Sequence, residues 1–529
     1  MQKKWLILTI IVLIYLPVTI DATVMHVATP SLSAALNLTA NQLLWIIDIY
    51  SLIMAGLILP MGALGDRIGF KKLLFIGTAV FGVGSLAAAF SPTAYALIAS
   101  RAVLGLGAAM LIPATLSGIR NAFTEEKQRN FALGLWSTVG GGGAAFGPLV
   151  GGFVLEHFHW GAVFLINIPI ILVVLVMIVM IIPKQQEKTD QPINLGQALV
   201  LVVAILSLIY SIKSAMYNFS VLTVVMFVVG ISTLIHFIRS QKRATTPMID
   251  LELFKHPVIS TSIVMAVVSM IALVGFELLL SQELQFVHGF SPLQAAMFII
   301  PFMIAISLGG PLAGICLNKW GLRRVSSLGI LVSALSLWGL AQLNFSTDHF
   351  LAWTCMVFLG FSIEIALLAS TAAIMSSVPP QKASAAGAIE GMAYELGAGL
   401  GVAIFGLMLS WFYSRSIILP AELPSNLIEK ASISIGETMQ LASNLENPLG
   451  GQLVVVAQQA FSYAHSWVLT ISAICFFLLT VFVWFSFPKK VNYSVHDKFH
   501  RTLILSGFCL LKIAKISLNS SFFPKPIKR

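Results

Sequence analysis

Apolar stretches long enough to cross a bilayer recur fourteen times along the chain, and no other feature restricts its fold so tightly. They fall at about residues 6–28, 43–64, 73–90, 94–118, 131–154, 161–182, 194–212, 221–238, 259–281, 293–316, 325–343, 350–374, 384–412 and 464–487. A span takes roughly 20 apolar residues. Lipid offers the backbone no water to bond, so such runs must be helices. The expected fold is an all-α polytopic membrane protein with 14 transmembrane helices. Only 10% of the 529 residues are charged, against about 25% in soluble chains, which excludes an ordinary soluble enzyme and a disordered protein. The first run continues to about Val27, beyond the usual signal-peptide core, so it is expected to remain as a span.

The net charge of +10 fits either nucleic acid or anionic lipid, and its placement decides. With the N-terminus inside, connections after even-numbered spans hold sixteen Lys/Arg. Connections after odd-numbered spans hold three: Lys213, Arg415 and Lys430. With Lys3, Lys4 and the basic tail, the split is 27 to 3, a strong positive-inside signal. Both termini are therefore expected in the cytoplasm, at a bacterial inner membrane. The basic excess then faces lipid headgroups, not nucleic acid. Four cysteines and ten histidines show no metal-ligand spacing, so no cofactor or metal is expected.

Two loops match in register, 252 residues apart. One is Gly62-Ala-Leu-Gly65-Asp66-Arg67-Ile-Gly69-Phe-Lys71-Lys72, and the other is Gly314-Ile-Cys-Leu-Asn318-Lys319-Trp-Gly321-Leu-Arg323-Arg324. Spans 9–14 thus repeat spans 1–6, and spans 7 and 8 are an inserted pair, the duplication seen in secondary transporters. The expected domains are a six-helix bundle over 1–182, the insert over 183–258, and a second six-helix bundle over 259–488. A basic cytoplasmic tail over 489–529 follows. Residues 413–463 read as a long outside loop, amphipathic in places.

Four motifs carry a family resemblance. Besides Gly62–Lys72, they are Arg101-Ala-Val-Leu-Gly105-Leu-Gly107 in span 4, Gly143-Ala-Ala-Phe-Gly147-Pro148-Leu-Val-Gly151-Gly152 in span 5, and Asp21-Ala-Thr23-Val-Met-His26-Val-Ala-Thr-Pro30 in span 1. Together they resemble the major facilitator superfamily, and within it the fourteen-helix drug:proton antiporters. The multiple acids and long loop are similar to those of quaternary-ammonium and methyl viologen exporters. Where this chain has His26, the family usually has Asn. The resemblance implies that Asp21 is a proton or substrate carboxylate and that Arg101 takes part in proton transfer. It also implies that Gly62, Asp66, Arg67 and Gly69 form a cytoplasmic gate, and that the glycines and Pro148 of span 5 mark an antiporter.

Acidic residues within the spans are the informative chemistry, since each costs about 2.5–3.5 kcal/mol even on the lenient insertion scale. The candidates are Asp21, Asp48, Glu277, Glu364, Glu390 and Glu395, with Glu283 at the outer boundary and Arg101 as the single buried cation. Such a cavity attracts cations. A carboxylate that binds either a proton or a cationic substrate is the simplest basis for antiport. Glu390 and Glu395 stand about 140° apart on one helix, so only one faces the cavity squarely. Trp45, Tyr50, Trp136, Phe276, Phe361 and Tyr394 offer cation–π faces. The leading expectation is a monomeric, proton-driven exporter of lipophilic cations, with small molecules, protons and lipid as partners. The alternative is an exporter of a neutral natural product, antibiotic or siderophore. A membrane enzyme is not expected, because no metal-binding, protease or nucleotide-binding signature occurs.

Overall fold

The computed structural model describes residues 2–183, 195–217, 219–244, 247–249, 251–345, 347–378, 383–446 and 448–487, and among these no strand occurs. The first bundle is α1 (Gln2–Leu36), α2 (Ala40–Ile68), α3 (Phe70–Ala89), α4 (Ala94–Ala122), α5 (Glu126–His157), α6 (Ala162–Leu165) and α7 (Asn167–Ile181). The last two share the sixth span. The inserted pair is α8 (Leu195–Tyr217) and α9 (Val221–Arg243). The second bundle comprises α10 (Pro257–Gln282), α11 (Pro292–Trp320), α12 (Leu322–Ala341), α13 (His349–Ser376), α14 (Ala383–Ser416) and α17 (Leu449–Ser486). Thirteen helices are long and apolar enough to span, and α5, bent by 41°, is the fourteenth. The 489–529 tail expected from the sequence lies outside the described residues.

Each bundle has its own apolar core. Ile10, Ile14, Phe81 and Leu104 are fully buried in the first, and Phe276, Phe302, Leu337 and Val468 in the second. A third, smaller cluster joins Leu201 of α8 and Phe237 of α9 to Ile374 and Ile389 of the second bundle. Gly56 of α2 lets Val202 of α8 press against the backbone. The inserted pair is thus packed against both bundles rather than hung outside them.

The two matched loops have matching backbones. Gly69 ends α2 at φ 85° and Gly321 ends α11 at φ 76°. Each amide bonds the carbonyl four residues back, Gly69 to Gly65 at 2.9 Å and Gly321 to Leu317 at 3.0 Å. Each carbonyl then starts the next helix. No side chain stands near either glycine, so any penalty for substitution is backbone strain. With ψ at 145° and 162°, both lie in a region reached essentially only by glycine, and Gly69→Ala and Gly321→Ala should each lose about 1–3 kcal/mol. Thermal unfolding of the purified protein should show both variants melting below wild type. Gly62 has only an ordinary 3.6 Å neighbour, Pro113, at its β position. Its backbone is unremarkable, so the tight turn belongs to Gly69 alone.

The bend of α5 has an identifiable cause. Pro148 cannot donate to the carbonyl of Ala144, which would be its helical partner. The Thr23 hydroxyl of α1 donates to that carbonyl instead, at 3.0 Å. Gly143, Gly147 and Gly151 lie so close to Thr19, Thr23 and Val24 of α1 that a methyl group on any of them would collide. At Gly152 the added carbon would lie 2.8 Å from the backbone of Leu293 on α11. The span 5 motif therefore lets α5 touch one helix in each bundle.

We call the end bearing the basic loops the basic end and the opposite one the far end. The far end is sealed by bonds between bundles. Gln285 donates to the Val27 carbonyl at 3.1 Å, and His26 Nδ1 meets Glu277 at 2.9 Å. The 413–463 segment, expected as a loop, is mostly helical. It contains α15 (Ser425–Ile433), α16 (Ile435–Ala442) and the first turns of α17. Glu437 of α16 accepts from the Ala40 amide at the start of α2, at 3.0 Å, and Gln440 donates to the Ser33 carbonyl at 2.7 Å. Burial raises the Glu437 carboxyl above its ordinary range, against the pull of the Ala40 amide and Lys430. A raised value means that docking is fully supported at low pH and weakens as pH rises through it. Glu437→Ala should loosen this strap by about 0.5–2 kcal/mol, the range for a lost helix cap. Faster amide exchange over 425–442, with Glu437→Gln near wild type, would show it.

Candidate functional site

The six acids expected to line a cavity are sorted by the structure into two groups. The first group is sealed and paired. Asp21 is 1% exposed and bonded to Arg101, which is also 1% exposed. Arg101 Nε donates to the Ile46 carbonyl at 3.1 Å, and its guanidinium lies 4.6 Å from the centre of the Tyr50 ring. Tyr50 in turn donates to the Val18 carbonyl. α1, α2 and α4 are thus tied around one buried pair. The sequence reading gave Asp21 and Arg101 separate roles, and the structure brings them into direct contact.

Asp48 is paired as well, with a partner the sequence reading placed in an outside loop. α8 runs on to Tyr217, and Lys213 lies on it, fully buried, 2.5 Å from Asp48 Oδ2. Arg101 is therefore not the single buried cation. The apolar run over 194–212 stops at the first charge, which is why hydropathy ended the span there. Tyr210 and Lys213 are spaced as one helical face, and that spacing was the available signal. Glu277 pairs with His26 across the bundles. Glu283 lies in a π-helical turn (283–287), where Ser462 donates to it at 2.6 Å and His465 stands 3.1 Å away. That cluster went unseen because Ser462 and His465 were separated from it by a supposed loop.

The second group has no cation. Among the described residues, no Lys, Arg or His pairs with Glu364, Glu390 or Glu395. Glu364 of α13 and Glu395 of α14 keep accessible surface, while Glu390 is 5% exposed. Glu390 accepts from Thr371 at 2.5 Å and from Tyr394 at 2.9 Å, so it faces α13. Glu395 instead lies toward Ser51 of α2 and interacts electrostatically with Tyr15 and Tyr50. The two acids of α14 thus point to different bundles, as their angular separation required. Tyr15 stacks on Trp136 of α5, with centroids 4.3 Å apart and planes within 9°. Gly309 and Gly310 of α11 flank Glu364.

The aromatic candidates divide similarly. Trp45 and Tyr50 already hold cations of the chain, Lys213 and Arg101. Phe276 packs edge-on against Phe302 in the second core. Tyr394 donates to Glu390, Trp136 stacks on Tyr15, and Phe361 lies half-buried one turn before Glu364 on α13. In the Gly62–Lys72 motif Arg67 is exposed, and the Asp66 side chain lies outside the described residues. No group of residues suited to a metal ion occurs among those described.

Two bundles with repeated loop geometry, meeting around carboxylates that pair with no cation among the described residues, define a multi-pass membrane transporter. Residues 11–402 match the model of the Major Facilitator Superfamily, and the chain belongs to that family. It is a transporter rather than an enzyme. It is 55% identical over 491 residues to the methyl viologen resistance protein SmvA of Salmonella typhimurium, covering 92% of this chain and 99% of that protein. It is 35% identical to the multidrug efflux pump LfrA of Mycolicibacterium smegmatis, covering 87% and 91%. A bacterial homologue of the lysosomal transporter Spinster, solved inward-facing and unoccupied, shares the fold with a TM-score of 0.66. At 17% identity, covering 92% and 98% of the two chains, that structure speaks to fold only.

Proposed function

We propose that the chain is a proton-coupled antiporter that exports lipophilic cationic drugs and biocides across the bacterial cytoplasmic membrane. Quaternary ammonium compounds, dyes, viologens and biguanides are the substrate class. The observation that carries this is the trio Glu364, Glu390 and Glu395, buried or half-buried with no cation paired to them among the described residues. An ionised carboxylate in a low-dielectric site needs a partner. A proton and a lipophilic cation both meet that need, and competition between them couples their fluxes. Trp136, Tyr15 and Tyr394 supply apolar faces beside the carboxylates for the body of such a molecule. The names of the two relatives, one for viologen resistance and one for multidrug efflux, support the same class.

In this reading both termini are cytoplasmic, the energy source is the proton motive force, no cofactor takes part, and a single chain suffices. The sealed far end then faces outward, and substrate enters from the basic end. Everted vesicles holding a proton gradient, read by an acridine dye, test the proposal. Adding methyl viologen or another quaternary ammonium cation should release protons. An intact gradient that responds to none of several cations would sink it.

A further inference from the structure

Lys213 occupies a site with the composition of a cation receptor. Its ammonium lies 2.5 Å from Asp48 and 4.2 Å from the centre of the Trp45 ring. Tyr210, one turn earlier on α8, leans on the same indole at 6.5 Å. A carboxylate beside an aromatic face is a recognition device for organic ammonium ions. Here the occupant is the chain's own side chain. Asp48 and Lys213 are 1% and 0% exposed, and the second carboxylate oxygen of Asp48 has no hydrogen-bond partner among the described residues.

The location gives this pair influence. Asp48 stands three residues before Ser51, the α2 residue toward which Glu395 lies. On α14, Gly399 stands one turn beyond Glu395, and a β-carbon there would lie 3.6 Å from the Asp48 carbonyl. On both helices, therefore, the Asp48–Lys213 pair is about one turn, roughly 4.5–6 Å of rise, from a carboxylate that pairs with no cation among the described residues. A simple staple between α2 and α8 would need no charge at this point, since apolar packing such as Gly56 on Val202 already joins the two helices.

We propose that Lys213, supplied by the inserted helix pair, sets the charge selectivity of export. By neutralising Asp48 it limits the negative charge that a substrate meets beside Glu395, and so fixes how far dications are preferred over monocations. The inference rests on the cation-export reading above. Coulomb energies scale with substrate charge, so a change of one unit in the site acts twice as strongly on a dication. A unit charge about 10 Å away at an effective dielectric near 20 shifts the dication-to-monocation ratio by about tenfold.

The test compares initial uptake of methyl viologen, a dication, with that of tetraphenylphosphonium, a monocation, in the same everted vesicles at alkaline pH. Lys213→Gln should raise the ratio about tenfold and Asp48→Asn should lower it about tenfold. The double variant, neutral again, should return to the wild-type ratio. Each ratio is taken within one preparation and does not depend on the amount of protein. A structural staple predicts the reverse pattern, with both single variants losing both activities together and the ratio unmoved. Such a result overturns the proposal, as do shifts of the same sign in the two single variants. If Lys213→Gln does not reach the membrane, Lys213→Met replaces it. Its side chain keeps the apolar stem and is neutral at every pH, and an unchanged ratio in that variant overturns the proposal. A wild type that exports neither cation fails the export reading and this inference with it. A wild type that exports both, with variant ratios unmoved, fails this inference alone.

Discussion

Glu395→Gln should abolish proton-driven export of every cation, with a loss on the order of 1,000-fold and no loss of protein from the membrane. The magnitude follows from the charge removed. A cation about 4 Å from a carboxylate at an effective dielectric near 20 gains about 4 kcal/mol, and each 1.4 kcal/mol is tenfold. Gln keeps the shape of the side chain without its charge, so folding is spared. Glu390→Gln should cost less, because Thr371 and Tyr394 already satisfy that carboxyl. Initial rates in vesicles, normalised to transporter content, measure both. Proton release in Glu395→Gln above a tenth of wild type would move the coupling role to Glu364 or Glu390.

Arg101→Leu should fail differently, by loss of the folded protein. Asp21 would remain fully buried without its cation, and breaking a buried pair from one side costs about 3–5 kcal/mol. That is a large share of the stability of a folded domain. Asp21→Asn with Arg101→Gln removes both charges and should restore the amount of protein in the membrane. Export should stay impaired in the double variant if the pair also relays protons. Restored amount together with restored coupling would assign the pair to structure alone. Fluorescence-detected size exclusion for the amount and dye-monitored proton flux for the coupling separate the two results.

What the sequence disclosed, and what it hid, follows the range of the forces involved. Spans are local: about 20 apolar residues declare themselves whatever lies elsewhere. The Gly69 and Gly321 turns are equally local, and the duplication was visible through them. The glycines of α5 were legible as a close-packing motif, though not which helices they would touch. The acids were visible, but not their standing. Whether Asp48 is a free carboxylate or half of a pair depends on Lys213, which is 165 residues away. Glu277 and Asp21 depend in the same way on His26 and Arg101. Hydropathy also ends a helix at its first charge, so Lys213 was assigned to water when α8 carries it into the interior. The 413–463 segment was misjudged for the opposite reason. Its helices are too polar to span, and they are ordered by docking onto α1 and α2 rather than by lipid.

The sequence distances within the buried pairs also govern how the chain can be made. Asp21 enters the membrane 80 residues before Arg101 exists, and Asp48 enters 165 residues before Lys213. At roughly 5–20 residues per second, the second interval lasts about 8–33 s. Throughout it α2 carries a carboxylate with no counter-ion of its own. The nascent helix must take up a proton, stay beside the translocation channel, or borrow a basic group from an insertion factor. The inserted pair then acts as a late checkpoint in assembly, because α2 reaches its final electrostatic state only once α8 has been synthesised.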